Sequence, residues 1–313
     1  MVPIWLLSIR KVKETVPREK LPLLGVAAAF SFLAMMFNVP LPGGTTGHAV
    51  GGTLIAILLG PYAACLSVSV ALLIQALFFG DGGILALAPT VLIWLLPCFT
   101  GYFVYHGVKR LISSDIIAAG IGSYVASTSL PSVLPLSSAF SLIIHRCCRT
   151  GIILPVPLSI SIPAMMIGHI TIFGLAEVIF TTGVLAYLKK TSPDLFHMSA
   201  PASSSKSLFG LLAALILATP LGLLAAGTAW GEWDVEELAE TDFFGSALGY
   251  TPAGMENGFS FDVLMPDYAI AGLPDVLGYI ISALVGTALL IIIFKVIASF
   301  LPAKPSFDTP SQH

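Results

Sequence analysis

Polar and glycine-rich breaks divide the chain into nine apolar stretches, and their lengths predict what each one does. Crossing the hydrocarbon core of a bilayer as a helix takes roughly 20 apolar residues. Met1 to Ile9 reaches about half of that before Arg10, Lys11, Lys13, Arg18 and Lys20 follow. Leu21 to Asn38 then makes a full span, His48 to Gly60-Pro61 the next, and Tyr62 to Phe79 the return. After the tight turn at Gly80, Asp81, Gly82 and Gly83, Ile84 to Tyr105 leads to Lys109 and Arg110. Ile116 to His145 is expected to break near Pro131 or Pro135, and Val156 to Leu188 carries Pro163, His169 and Glu177. The polar, serine-rich stretch Thr191 to Ser207 marks a linker. Beyond it lie Leu208 to Ala226 and Pro274 to Phe300, joined by a loop from about Gly227 to Leu273. The pattern predicts an all-α polytopic membrane helix bundle of about seven spans, the first truncated, over residues 1–190. A linker over 191–207 and a two-helix membrane module over 208–302 complete it.

One break differs from the rest. Pro40 to Gly52 is glycine-dense and polar, and it ends in His48, a side chain able to bind a metal. Its prolines and glycines rule out a helix, Thr45 and Thr46 are N-cap candidates, and the apolar run resumes directly after His48. This predicts His48 in the first turn of a membrane helix. There the positive end of the helix dipole disfavours imidazolium and leaves a lone pair free for a cation, while opposing the cation itself. Other ligands would have to make up the difference. The plain alternative is a histidine that only caps a helix at headgroup level.

Composition and charge sharpen this picture. Of 313 residues 56% are hydrophobic and 10% charged, against about 25% charged in soluble proteins. The net charge of -3 says little, and no nucleic-acid partner is indicated. Cys65, Cys98, Cys147 and Cys148 show no CxxC spacing, so neither a disulfide framework nor a zinc site is expected. The basic residues follow the first apolar run instead of preceding it, the reverse of a secretory signal. If the 10–20 segment is cytoplasmic, alternation of the spans puts every Lys and Arg except Arg146 and Arg149 on that side. His48, the Gly80 to Gly83 turn and the long loop of the second module then face the exterior of a cell inner or plasma membrane. That loop carries Glu232, Asp234, Glu236, Glu237, Glu240, Asp242, Glu256, Asp262 and Asp267 with no Lys or Arg, and could concentrate divalent cations or simply be solvated.

Catalytic signatures are missing: no HExxH, GxSxG, GxxxxGK[ST], or GxGxxG at a strand-to-helix turn. If the protein moves a solute with ATP, the ATPase must be another subunit. His169 and Glu177 lie inside an apolar run, where ionisable groups are costly and are functional candidates by default. Eight residues place them about 12 Å apart along a helix, too far to share one ion. Interhelical hydrogen bonding is their alternative role, as it is for Gln75. Gly25, Ala27, Ala28 and Ala29 form a small-residue face suited either to internal packing or to a partner helix.

Several segments carry a resemblance. GGTTGHAVGGTLIAILLGPYA (43–63), LLIQALFFGDGG (72–83) and HITIFGLAEVIFTTGVLAYL (169–188) closely resemble the CbiM/NikM family, over about residues 20–196. These are substrate-capture components of energy-coupling-factor transporters for cobalt and nickel. GTAWGEWDVEEL (227–238) and LMPDYAIAGLPDVLGYIISALVG (264–286) resemble the CbiN-like, PDGLE-type two-span accessory module that is separate or fused in that family. The resemblance implies capture of Co2+, or of Ni2+, at the outer face, with cobalt feeding cobalamin synthesis. It also implies no resident cofactor, and as partners a transmembrane coupling subunit, ATPase subunits and membrane lipid. The family's ligands are the N-terminal amine, the backbone nitrogen and imidazole of a histidine directly after the initiating methionine, and the histidine of GHxxGG. Of these only His48 carries over. Here Val2 follows Met1, which together with the half-length first span leads us to expect an upstream start. Thr90 and Ile93 stand where the family usually has asparagines, which leaves the choice of metal open. A nitrogen-rich set suits nickel or cobalt and disfavours magnesium and calcium. Gln75, Asp81, His169 and Glu177 are candidates for a supporting or packing role around the metal. The alternatives are an assembly subunit that lacks a metal site, or an intramembrane enzyme using His169 and Glu177.

Overall fold

The computed structural model describes residues 2–41, 45–81, 87–129, 158–196, 205–225 and 262–300. The expected break at Pro131 or Pro135, the Cys147-Cys148 pair, Arg146 and Arg149 lie outside these residues, as do Gly82, Gly83, most of the acidic loop and the side chain of Thr90.

The helices are α1 (Val2–Thr15), α2 (Leu21–Met35), α3 (Gly52–Leu59), α4 (Pro61–Ile74), α5 (Leu87–Leu111), α6 (Asp115–Thr128), α7 (Leu158–Gly168), α8 (Gly174–Thr191), α9 (Ser205–Ala218) and α10 (Asp275–Phe300). A small antiparallel hairpin, β1 (Val39–Leu41) with β2 (Thr45–Gly47), is the one departure from the expected all-α fold among the described residues. Four helical stretches there are long and apolar enough to cross a bilayer: Pro61–Phe79, Met165–Thr191, Lys206–Leu224 and Asp275–Phe300. Their outward faces carry Leu175, Ile179, Leu284, Ile292 and Val296, all exposed. In a bilayer these face lipid at no cost, since lipid tails are as apolar as they are.

α2 is the central helix. Eleven of its fifteen residues are buried, so it has no lipid-facing side of any width, and it packs against α4 and α10. The small-residue face read from Gly25 to Ala29 is answered here: α10 lies on it. A Cβ on Gly25 would come within 3.0–3.1 Å of Phe294, Ile291 and Leu290, and Gly286 of α10 in turn makes room for the Phe32 ring. Small residues on both helices permit this approach, the means by which helices associate in lipid. The carbonyl of Met36, just past the end of α2, accepts from the Tyr279 hydroxyl at 3.2 Å, so the second module also satisfies an exposed end of the first.

At the opposite end of the bundle the basic residues gather. Arg18 donates to the Ala298 carbonyl at 2.9 Å and the Ser299 carbonyl at 3.2 Å, placing a cation on the C-terminus of α10 where the helix dipole favours it. Asp115, at the start of α6, receives Lys109 from α5 and Lys189 from α8, and the Tyr105 hydroxyl at 3.1 Å. Burial raises the Asp115 pKa, but the hydrogen bonds from Lys109, Lys189 and Tyr105 outweigh it and hold the carboxyl at about 2. A depressed pKa means stability that is full above the unfolded value near 3.9 and lost as pH falls toward 2. With both lysines well exposed, the cluster is worth roughly 1 kcal/mol. Asp115→Asn should therefore lower the melting temperature in detergent slightly and by a constant amount from pH 7 to about 4, and the difference should close between about 4 and 2. A gap unchanged down to pH 2 would show that the charge on Asp115 contributes nothing.

Candidate functional site

His48 is not in a helical turn. Thr45 and Thr46 belong to β2, the chain runs on without helix through His48, Ala49 and Val50, and Gly51 is the N-cap of α3. Gly51 has φ 69°, a left-handed conformation that glycine adopts without strain. α3 then has eight residues, about 12 Å of helix, so the expected span from His48 to Gly60 is helical only from Gly52 to Leu59 and begins with the non-helical stretch His48 to Gly51. Such a backbone is tolerated at membrane depth only where protein supplies its hydrogen bonds. Two side chains do so. Ser31 of α2 donates to the Val50 carbonyl at 2.8 Å, and the Gly51 N–H donates to the Glu177 carboxylate, 3.0 Å from one oxygen and 3.2 Å from the other.

Glu177 is thereby explained. It is buried in α8, twelve residues before Lys189 and so about 18 Å above the basic end. Its carboxylate faces the positive end of the short helix α3, where a negative group is stabilised by the dipole and by the free N–H groups. This is an interhelical bond of the kind weighed against a catalytic role, made to backbone.

His169 sits elsewhere. It opens a π-helical segment, His169–Phe173, between α7 and α8, and its Nδ1 lies 2.8 Å from the Met165 carbonyl. Because a carbonyl only accepts, Nδ1 carries the proton and Nε2 holds the lone pair of a neutral ring. Its ring meets Phe173 edge-on at 5.3 Å, and Phe173 packs against Gly47 of β2. The π-segment therefore lies against the hairpin that leads to His48. A second π-segment, Gln75–Phe79, ends α4 and carries Gln75. Single π-turns inside membrane helices recur at functional sites.

Gln75, Asp81 and Tyr268 form one network. Gln75 Nε2 donates to Asp81 Oδ2 at 3.0 Å and to the Tyr268 hydroxyl at 2.9 Å, and the Tyr268 hydroxyl donates to the same Asp81 oxygen. Burial, with the Asp81 charge adding to it, raises the Tyr268 pKa well above its ordinary value, so the phenol stays a donor. His48 is half-buried with Nδ1 enclosed. A neutral imidazole there can offer a ring nitrogen to a metal ion. Glu177 holds the backbone three residues beyond His48. Among the described residues no three of His, Cys, Asp and Glu converge closely enough to hold a metal by themselves. Ile93 is half-buried in α5.

Sequence reasoning passed over Ser31 and Tyr268. Ser31 had a weak signal, a lone hydroxyl in an apolar span. Tyr268 follows Pro266-Asp267 in a loop, with nothing local to say that it folds back onto Asp81.

Among the described residues the fold is a helical membrane bundle with one interrupted helix, and the proteins it is similar to are named as transport proteins. Residues 1–195 match the family described as CbiM, cobalt uptake substrate-specific transmembrane region, and residues 204–303 match the PDGLE domain. The chain belongs to the CbiM family, with a PDGLE domain fused behind it. It is 40% identical over 299 residues to the "Probable fused nickel transport protein LarMN" of Lactiplantibacillus plantarum, covering 94% of this chain and 91% of that one. It is 39% identical over 310 residues to the "Fused nickel transport protein NikMN" of Rhodobacter capsulatus, covering 93% and 89%. A crystal structure described as a transition metal transporter superposes with a TM-score of 0.56 at 37% identity, covering 65% of this chain and 92% of that chain.

Replacing Glu177 by Ala leaves the Gly51 N–H buried without an acceptor, a loss of about 1–3 kcal/mol. We expect a lower melting temperature and faster amide exchange across residues 45–59, with Glu177→Gln milder than Glu177→Ala. Equal exchange in wild type and Glu177→Ala would show that the carboxylate does not hold this segment.

Proposed function

We propose that this chain captures Ni2+ or Co2+ at the exterior face of the cell inner or plasma membrane, through His48, as the substrate-capture component of an energy-coupling-factor importer. A transmembrane coupling subunit and separate ATPase subunits supply the driving force, and the cobalt case feeds cobalamin synthesis. The observation that carries the reading is His48 itself: an imidazole on a non-helical segment inside a membrane bundle, its Nδ1 enclosed and the backbone just beyond it held by Ser31 and Glu177. The positive-inside distribution of Lys and Arg supports the exterior position. The nickel named for the two fused relatives favours Ni2+, and the cobalt in the family description keeps Co2+ beside it.

One imidazole does not hold such an ion tightly, and in the family pattern an N-terminal amine and a backbone nitrogen add to it. Nitrogen ligands favour nickel and cobalt over magnesium and calcium. Asp81 and Gln75 support the site, His169 lies behind it, and the acidic loop of the second module raises the local concentration of cations.

His48→Ala tests this. Losing a supporting residue around a metal typically costs 10–100-fold in affinity, and losing a ligand should cost at least that. Calorimetry on the purified full chain should find Ni2+ and Co2+ binding weakened by about 100-fold or more, while membrane insertion survives because Gly51 caps α3 without His48. Binding unchanged in His48→Ala but lost in His169→Ala would move the site to the π-segment.

A further inference from the structure

The central helix α2 is buried except in its first two turns. Pro22, Leu23, Val26 and Ala27 are the residues of that helix that protein does not fully cover, and the last three line a cleft between α2, α3, α8 and α9. Every side chain lining the cleft is aliphatic or aromatic. Phe30 marks its inner end, seven residues and so about 10 Å along α2 from Leu23, with its ring against Gly51. The space is narrow, about 50 Å³, and a helix 10–12 Å across with its side chains does not enter it. Water would find no polar partner there, and a void would forfeit the contacts of the walls. The solvent around a membrane bundle is hydrocarbon, and an unbranched acyl chain is thin enough to fill the slot.

The cleft runs toward the basic end of the bundle. Two of its lining residues, Leu188 of α8 and Leu208 of α9, lie two positions from Lys190 and Lys206 respectively. The end of α8 and the start of α9 are tied together at this point. The Ser192 and Ser207 hydroxyls are hydrogen-bonded, and the Tyr187 hydroxyl donates to the Ser207 carbonyl at 3.3 Å. Lys190 and Lys206 are both exposed, and among the described residues no carboxylate lies within ion-pair distance of either. Two such cations beside the mouth of an apolar slot match a molecule with a negative head and a hydrocarbon tail.

We propose that the cleft is a binding site for one anionic phospholipid of the leaflet at the basic end, an acyl chain lying against Leu23, Val26 and Ala27 and the phosphate held by Lys190 and Lys206. The inference is independent of what the chain transports. Native mass spectrometry on the purified full chain tests it, with phosphatidylglycerol, phosphatidylcholine of the same chains, and glycerol 1-phosphate as probes. The wild type should retain one phosphatidylglycerol per chain, bind phosphatidylcholine more weakly and not retain glycerol 1-phosphate. The double variant Lys190→Gln/Lys206→Gln should weaken phosphatidylglycerol binding about 10- to 30-fold at low salt and leave phosphatidylcholine unchanged. Leu208→Trp places a large side chain in the slot from its half-buried rim, and should abolish binding of both lipids while the lipid-free melting temperature holds or rises. The lysine variant alters exposed side chains only, so it carries the test even where the tryptophan is not accommodated.

Equal retention of the two lipids by the wild type, or phosphatidylglycerol binding unchanged in the lysine variant, overturns the proposal. Glycerol 1-phosphate bound as tightly as phosphatidylglycerol overturns it too, since the lysines would then hold a free anion with no use for the cleft. Phosphatidylglycerol still retained by a folded Leu208→Trp places the lipid elsewhere on the bundle. If that variant instead loses a co-purifying partner subunit and keeps the lipid, the cleft is a protein interface and the proposal falls.

Discussion

A backbone inside a lipid bilayer has no water to bond with, and the bond from the Gly51 N–H to Glu177 is how this chain meets that requirement where its helix is interrupted. Everything near His48 follows from it. A continuous helix from Thr45 would satisfy its own backbone, but it would bury His48 in a regular ladder with its side chain on a fixed face. Breaking the helix frees the segment from His48 to Val50, and the break is tolerable because a carboxylate on α8 and a hydroxyl on α2 take over the lost bonds. Glu177 also meets the positive end of α3, so a buried negative charge and an exposed helix end offset one another. A single acid in an apolar run thus has a structural reason for its position.

Four of the spans were legible in the sequence, because a span rests on a local property of the residues concerned. Hydropathy counts residues, and Pro61–Phe79, Met165–Thr191, Lys206–Leu224 and Asp275–Phe300 are long enough for the count to be decisive. The eight-residue α3 was not legible. Apolar composition continues across Ala49 and Val50, and nothing local says that Gly51 turns left-handed, since a glycine is equally at home in a helix or at its cap. The π-segments at Gln75 and His169 were hidden for the same reason: an inserted residue changes the hydrogen-bond register without changing composition. The small-residue face of α2 was read correctly as an approach surface, but its occupant is set by α10, more than two hundred residues away.

The candidate site divides along similar lines. His48 was singled out because it is a histidine among glycines between two spans. Asp81 and Gln75 were found through the residues around them, yet what joins them is Tyr268, whose partner lies 187 positions earlier in the chain. Contacts of that range depend on the fold, and a loop tyrosine has no periodicity by which to be singled out. Likewise the linker composition predicts that two modules exist, and says nothing of how firmly they are joined.

How they are joined has a consequence for the site. α10 is tied at both ends: Arg18 of the first domain caps its C-terminus, and Tyr268, just ahead of its N-terminus, is bound to Asp81. Between those ties it lies against α2 through Gly25 and Gly286, with Tyr279 on the carbonyl of Met36. α2 is also the helix that presents Ser31 to the Val50 carbonyl. One helix therefore connects the second module to the interrupted segment by packing, and one tyrosine connects it by hydrogen bonds. A displacement of α10 along α2 would disturb Asp81 and Ser31 together, and with Ser31 the backbone that follows His48. Packed helices move by small steps between discrete arrangements and do not deform continuously. The fused module is thus packed against the helix that holds the segment after His48, although none of its described residues is among the candidate ligands.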